Sequence, residues 1–317
     1  MHKIFIDGQA GTTGLQIHQR LQHKADICLL NIADEDRKNR DVKRQIMEEA
    51  DLVILCLPDE AAIDSVKLAS SDKTRFIDAS TAHRTNGAWV YGLPEMNGEN
   101  RSRIESAQSV SNPGCYPTGF LLPLIPLIEQ AWLKPSAQIS CSAVSGYSGG
   151  GRKLIEAYEK QERDNPGDLW HSRPYSLRLS HKHLSEMQHY ANLDSPPLFL
   201  PSVAHFAQGM LVSTGLFRES FNQAVDPGQV VELLMSTYRD EPCVNVYGPN
   251  DESQLQGGFL DPQANNGTNR LDIFVFGNEQ QILLVSRLDN LGKGASGAAI
   301  QNLNLMLGRP ELEGLSS

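Results

Sequence analysis

The segment Ser111-Asn112-Pro113-Gly114-Cys115-Tyr116-Pro117-Thr118-Gly119 places one cysteine where a Pro/Gly turn meets an apolar helical run. A helix N-terminus favours the thiolate, which is the nucleophilic form. Thiolates attack acyl groups well, and the resulting thioester accepts hydride more readily than a carboxylate or phosphate ester does. Cys28, Cys56 and Cys141 lie in apolar strand-like runs, and Cys243 follows Pro242 at a strand start, so these four read as structural. An odd number of cysteines, widely spaced and without Cys-x-x-Cys, argues against a disulfide framework or a structural zinc site.

The chemistry also needs a proton donor and a base that work near neutral pH, a task suited to histidine. Ser180-His181-Lys182-His183-Leu184-Ser185-Glu186 is the candidate segment, and His205 is a lesser one. A His-x-His pair on one strand face can also bind metal. His189 follows it, but no third ligand stands at a convincing spacing, so no metal is assigned. Ser145-Gly146-Tyr147-Ser148-Gly149 can line a nicotinamide and phosphate pocket through backbone N–H groups, or simply turn the chain before a helix at Arg152.

A second glycine-rich turn, Gly8-Gln9-Ala10-Gly11-Thr12-Thr13-Gly14, follows the first strand and opens the first helix. That is the logic of a dinucleotide site: glycines permit close backbone approach, and the helix N-terminus offers N–H groups to a pyrophosphate. The spacing is G-x-x-G-x-x-G rather than the commoner G-x-G-x-x-G. About 20 residues on, Asp34 would favour NAD. Arg37, Lys38 and Arg40 would hold a 2′-phosphate, or belong to a solvated helix start. The reading taken is NADP(H).

The elements that must position these groups follow from periodicity. Lys3–Asp7, Ile27–Ile32, Leu52–Leu57, Arg75–Asp78 and Gln108–Ser111 read as strands. Between the first four, helical signals run over Gly14–Gln22, Arg40–Ala50 and Glu60–Ser70. This alternation predicts a parallel sheet with helices on both faces. After Cys115 the pattern changes. Thr118–Trp132 reads as a helix that Pro123 and Pro126 must bend or displace. Strand signals then cover Gln138–Val144, Leu198–Val203, Gly209–Phe217, Cys243–Tyr247, Arg270–Gly277 and Gln281–Leu288. Helices are expected at Arg152–Arg163, Gln229–Tyr238 and Gly292–Leu307, and Asp164–Ser180 reads as an irregular, mobile loop. The fold class expected is therefore α/β: a doubly wound, Rossmann-type cofactor domain over residues 1–113, then an α+β catalytic domain over 114–294. The C-terminal helix, 295–317, packs back on the first domain through its small residues.

Composition narrows the partners. The 317 residues hold 28 Lys+Arg against 38 Asp+Glu, a formal charge of −10, which disfavours nucleic acid and anionic membranes. The apolar stretch Phe120–Leu133 is broken by two prolines and too short to span a bilayer. The opening residues carry no secretory pattern, so a reducing cytoplasm is the default reading.

Asn112-Pro113-Gly114-Cys115-Tyr116-Pro117-Thr118 resembles the active-site motif of the N-acetyl-gamma-glutamyl-phosphate reductases, which serve arginine biosynthesis. Asp78-Ala79-Ser80-Thr81-Ala82-His83-Arg84, Tyr91-Gly92-Leu93-Pro94-Glu95, Ser145–Arg152 and Asp289–Gly297 are similar to further blocks of that family, in its shorter class. The resemblance implies NADPH-dependent reduction of N-acetyl-L-glutamyl 5-phosphate to the semialdehyde through a thioacyl group on Cys115. It implies His181 as acid/base, with His183 as the alternative or as a substrate contact, and Glu186 among the substrate-binding residues, where it can orient one of the two histidines. Lys182 and Leu184-Ser185 depart from the family wording there. It further implies Arg84 and Asn112 at the substrate phosphate. Gly8, Gly11, Thr12, Thr13, Gly14, Arg37, Ser80, Ser145, Gly146 and Asn290 fall at the cofactor. A homo-oligomer, dimer or tetramer, is expected. An aspartate-semialdehyde dehydrogenase-like enzyme for another acyl phosphate, and a non-enzymatic NADP-binding sensor, are the alternatives.

Overall fold

The computed structural model describes residues 1–37, 39–69 and 73–317. In chain order it forms β1 (His2–Asp7), α1 (Thr12–Leu21), β2 (Ile27–Leu30), α2 (Arg40–Glu49), β3 (Leu52–Leu55), α3 (Asp59–Leu68), β4 (Arg75–Asp78), β5 (Val90–Tyr91), α4 (Asn100–Ser106) and β6 (Ser109–Ser111). There follow α5 (Cys115–Glu129), β7 (Ser140–Gly146), α6 (Arg152–Asp164), β8 (Ser172–Pro174), α7 (Leu184–Tyr190), β9 (Leu198–Ala204), β10 (Met210–Phe217) and α8 (Pro227–Thr237). The chain closes with β11 (Val244–Pro249), β12 (Leu255–Gln256), β13 (Phe259–Leu260), β14 (Leu271–Gly277), β15 (Gln281–Leu288) and α9 (Gly297–Met306).

Two compact units result: residues 1–114 with 295–315, and residues 115–294 with 316–317. In the first, a six-stranded parallel sheet has the order β2-β1-β3-β4-β6-β5. Its inner strands β1, β3 and β4 are short apolar runs largely buried on both faces, as parallel pairing under two helical layers requires. Ile4, Ile6, Leu52 and Ile54 share one core with Ile17 of α1, Ile104 of α4 and Ala299, Ile300 and Leu303 of α9. The alternate residues Phe5, Val53 and Leu55 share the other with Met47 of α2 and Ala62 of α3.

The second unit is built on a mixed seven-stranded sheet, β11-β14-β15-β10-β7-β9-β8. Val212, Leu216, Cys141, Phe199, Ile282 and Leu284 are buried on one side, the side of α5, while Leu198, Leu200, Phe217 and Leu283 are exposed. α5 continues through both prolines and begins three residues earlier than its periodicity predicts. Pro126 cannot donate to the Leu122 carbonyl, and that carbonyl instead accepts the Tyr238 hydroxyl at 2.5 Å. The 164–180 stretch contains an edge strand, β8, paired antiparallel with β9. Gly292–Ser296 forms a π-helical turn rather than the first turn of a regular helix, and α9 starts after it.

Candidate active site

In the first unit β1 ends at Asp7 and the chain turns at Gly8, whose φ is +93°. A Cβ at Gly8 would lie 2.3 Å from the Cys56 carbonyl oxygen, and one at Gly14 would lie 2.5 Å from the Gly8 carbonyl oxygen. These two glycines are required by the turn itself. Gly11 is different: it is exposed, with an ordinary φ of −76°, and a Cβ there would meet protein only at 3.4 Å. No side chain caps α1, so the N–H groups of Thr12, Thr13 and Gly14 are left to a ligand or to solvent. The cradle therefore fits a dinucleotide pyrophosphate. We expect Gly14→Ala to unfold or strongly destabilise the protein. Gly11→Ala should keep the melting temperature and weaken NADPH binding on the order of tenfold, by crowding the phosphates. Calorimetry and dye-based melting on both variants check this.

Beneath the turn, Asp7 accepts from Lys43 Nζ at 2.9 Å and from the Ser65 hydroxyl at 2.7 Å. A buried carboxylate so close to a pyrophosphate site needs this lysine; no sequence signal had marked the pair. Arg37 and Arg40 are exposed after β2, and Asn39 caps α2 through the N–H groups of Asp41 and Val42. Lys38 and the Asp34 side chain lie outside the described residues.

The loop after β4 is latched by buried carboxylate. Asp78 accepts from the Ser80 hydroxyl at 2.8 Å and from the Ser80 N–H at 2.9 Å, and pairs with His83 Nδ1 at 2.6 Å. The His83 ring stacks on Trp89. Arg84 donates to the carbonyls of Asn112 and Ala79. Asn112 is 1% exposed. Its amide donates to the Ala295 carbonyl and accepts from Asn302. Ser80 and Asn112 thus brace the loops that carry Arg84, rather than presenting free groups to a ligand.

In the second unit Cys115 is the first residue of α5 and is partly exposed. Gly294, in the π-helical turn, lies against it: a Cβ there would come within 2.7 Å of the Cys115 Cβ. That turn is held by Asp289, which accepts from Gly267 N–H at 2.8 Å and Leu291 N–H at 2.9 Å. Asp272 of β14 and Arg287 of β15, both fully buried, form an ion pair at 2.7 Å. Removing one partner would cost about 3–5 kcal/mol, because the other charge would stay buried.

Tyr116 and Tyr175 lie near Cys115, and His181 and Ser145 lie against these tyrosines. The Tyr175 hydroxyl donates to the Tyr116 hydroxyl at 3.2 Å and lies 3.2 Å from His181 Nε2. His181 Nδ1 accepts the His183 backbone N–H at 3.1 Å. A nitrogen that accepts a backbone proton carries none, so the neutral ring holds its proton on Nε2, facing Tyr175. Burial, reinforced by Lys182, pushes the His181 imidazole down to about 4, so the ring is neutral at physiological pH. Burial first, and the neighbouring Cys115 charge with it, pushes Tyr175 up to about 12 and holds Tyr116 well above the ordinary tyrosine range, so both phenols stay protonated.

His183 is buried at the N-terminus of α7, its ring 4.8 Å from that of His181, and Glu186 is buried in the first turn of the same helix. His205 sits elsewhere, stacked on Tyr158 and 3.7 Å from Glu162. Among the described residues no cluster of His, Cys, Asp or Glu suits a metal ion. Ser145 is buried beside Tyr116. Gly146 is needed by the strands, since a Cβ there would lie 2.4 Å from the Ala207 carbonyl oxygen. Asn290 donates to the Ser148 hydroxyl and accepts from Gly209 N–H, so it braces the Ser145–Gly149 loop. Tyr116 was legible beside the cysteine; Tyr175, in an irregular polar stretch, had no signal.

Two family models match the chain: semialdehyde dehydrogenase, NAD binding domain, over residues 3–104, and semialdehyde dehydrogenase, dimerisation domain, over residues 115–290. N-acetyl-gamma-glutamyl-phosphate reductase 2 of Nostoc sp. (strain PCC 7120 / SAG 25.82 / UTEX 2576) is 50% identical, with 99% of each chain covered. The N-acetyl-gamma-glutamyl-phosphate reductase of Brucella suis (strain ATCC 23445 / NCTC 10510) is 42% identical over 97% of this chain and 99% of that one. Among solved structures, the aspartate semialdehyde dehydrogenase from Francisella tularensis superposes with a TM-score of 0.75 at 14% identity. That match covers 97% of this chain and 100% of that one, and speaks to the fold alone.

Proposed function

This chain belongs to the semialdehyde dehydrogenase family, among the N-acetyl-gamma-glutamyl-phosphate reductases, and from that premise we propose that its chemistry runs through a thioacyl group on Cys115. It is an NADP(H)-dependent oxidoreductase of arginine biosynthesis that reduces N-acetyl-gamma-glutamyl phosphate to the semialdehyde. The observation that carries the thiol reading is the cysteine at the N-terminus of α5, gathered with His181 and two protonated tyrosines.

In this reading the Cys115 thiolate attacks the acyl carbon, the carbon–oxygen bond to phosphate breaks, and a thioester remains. Bound NADPH supplies the hydride that turns this thioester into the aldehyde level. His181 Nε2–H donates to the carbonyl oxygen as it gains negative charge, and the protonated phenols keep the surroundings rich in donors. The carbon–sulfur bond then breaks, releasing aldehyde and restoring the thiolate. Overall one proton is taken up with the released phosphate. Arg84, whose Nε and Nη2 are held by the Asn112 and Ala79 carbonyls, is our candidate for the phosphate of the substrate by its positive charge, and Arg37 for the cofactor's 2′-phosphate. We assign the first unit to the cofactor and the second to the acyl chemistry. The five free cysteines suit a reducing compartment, for which the cytoplasm is our proposal. No described helix is long and apolar enough to cross a membrane.

Phosphate-dependent reduction of NADP, measured with N-acetylglutamate semialdehyde and with aspartate semialdehyde, tests the substrate. The first aldehyde is expected to be strongly preferred. Preference for the second would overturn that substrate, and binding of NADPH without turnover of either would favour a sensor.

The match to a dimerisation domain indicates oligomerisation, and we propose that a second copy covers the outward sheet face. Leu198, Ser140, Gly215 and Leu283 align across four strands there, without a charge among them. A cleft of about 380 Å³, lined by Phe217, Phe276, Ile282 and Leu283, opens on the same unit. Contiguous apolar surface of this kind marks an interface. Leu200→Glu with Leu283→Glu should shift the protein toward monomer in light scattering; an unchanged mass would reject this face.

A further inference from the structure

We propose that Tyr175 is a positioning residue for His181, holding the Nε2–H group in the orientation it needs to meet a substrate oxygen. The inference rests on the thiol reading above and deepens it. His181 Nδ1 is fixed by the His183 N–H at 3.1 Å, which sets the tautomer but leaves the ring free to tilt about that bond. The second anchor is the Tyr175 hydroxyl, 3.2 Å from Nε2. With the proton on Nε2, the tyrosine oxygen is the acceptor, and its own proton is free to go on to Tyr116 at 3.2 Å. The donors therefore run one way, from His181 through Tyr175 to Tyr116, the residue next to Cys115. Reversing the first link would put the Nε2 proton and the Tyr175 hydroxyl proton face to face.

The surroundings suit a holder that can give way. Tyr175 is 36% exposed, whereas its partner Tyr116 is buried. It stands at the start of a segment that includes two non-glycine residues with left-handed backbone, Ser176 at φ 56° and Leu179 at φ 55°. Such conformations persist only where the surroundings enforce them, and they gather at functional loops. Leu177 and Leu179 are themselves largely exposed, so apolar burial does not hold this segment down. The hydroxyl chain, the edge contact of the Tyr175 ring with His181, the Tyr175 N–H bond to the Pro201 carbonyl at 3.0 Å and the pairing of Ser172–Pro174 with β9 do. A substrate oxygen that takes over the Nε2–H bond replaces the tyrosine without moving the histidine. Because both phenols stay protonated, neither acts as a base. Their part is orientation, which makes Tyr175 distinct from a catalytic residue.

The test is a double-mutant cycle on the full enzyme. Tyr175→Phe keeps the ring and removes only the hydroxyl, and Tyr116→Phe removes the next link. Each is expected to lower kcat on the order of tenfold, with KM for the acyl phosphate, NADPH affinity and melting temperature unchanged. The double variant should be no worse than the weaker single one, since groups acting as one chain are non-additive. A kcat within twofold of the parent in Tyr175→Phe, or losses that multiply in the double variant, would overturn the proposal. Cys115→Ala is run alongside. If it retains turnover, the thiol reading fails; if it is inactive while Tyr175→Phe is fully active, only the present inference fails.

Discussion

Replacing Cys115 by alanine is expected to lower kcat by about 10⁴- to 10⁶-fold, the scale on which removal of a covalent nucleophile acts. NADPH binding should survive the change. The reason lies in where the residue stands. Cys115 opens α5, in the unit separate from the glycine cradle of Gly8 to Gly14. The side chain is partly exposed and lies against Gly294, so alanine removes one sulfur without opening a large cavity. Melting temperature and cofactor affinity, measured beside kcat, separate loss of chemistry from loss of fold. Retained turnover would remove the thioacyl route altogether.

The second large effect is expected at His181. Without its Nε2–H, the carbonyl oxygen that gains charge during attack and hydride transfer loses a preorganised donor. Changing His181 to alanine should lower kcat by about 10²- to 10³-fold, with a smaller change in KM. His183→Ala is the comparison, because its backbone rather than its ring holds His181. A larger loss at His183 would exchange the two roles.

The same residue makes a stability prediction with a definite sign. Burial first, and Lys182 second, push its folded-state value down to about 4 from the ordinary 6.5. As pH falls, the unfolded chain takes up the proton before the folded one does. His181 therefore weakens the fold progressively between those two values and not above them. His181→Gln should lose less melting temperature than the parent between about pH 7 and about pH 5. An equal or greater loss in the variant would show that the imidazole is not the group held neutral.

Much of this arrangement was legible from residue types because it depends on local backbone. The glycines of the first turn, the strand–helix alternation and the cysteine before an apolar run all act within a few residues of themselves. Gly8 and Gly14 are demanded by carbonyls 2.3 and 2.5 Å from a would-be Cβ. The sequence could not show which polar residues face each other. Asn112 and Asn290 were expected to meet substrate and cofactor, and both ends of each amide are engaged in bracing loops. Asp7 and Lys43 meet across 36 positions, and Tyr175 reaches Tyr116 across 59. Such pairings are properties of the tertiary fold and leave no periodic trace. The short elements were missed for a related reason. β8 is exposed along its length, so no hydrophobic alternation marks it, and α4 and α7 are seven residues each with few apolar positions. β8 matters because it holds the start of the segment that carries Tyr175 and His181.

The central claim, that Cys115 carries the acyl group, is tested most directly by mass. The enzyme is mixed with N-acetyl-gamma-glutamyl phosphate in the absence of NADPH, quenched in acid and measured intact, then digested to locate the change. One added N-acetylglutamyl group per chain is expected, on the peptide containing Cys115, and it should be lost when NADPH is supplied before the quench. An unmodified Cys115 under conditions that support turnover, or an acyl group placed on another residue, would contradict it.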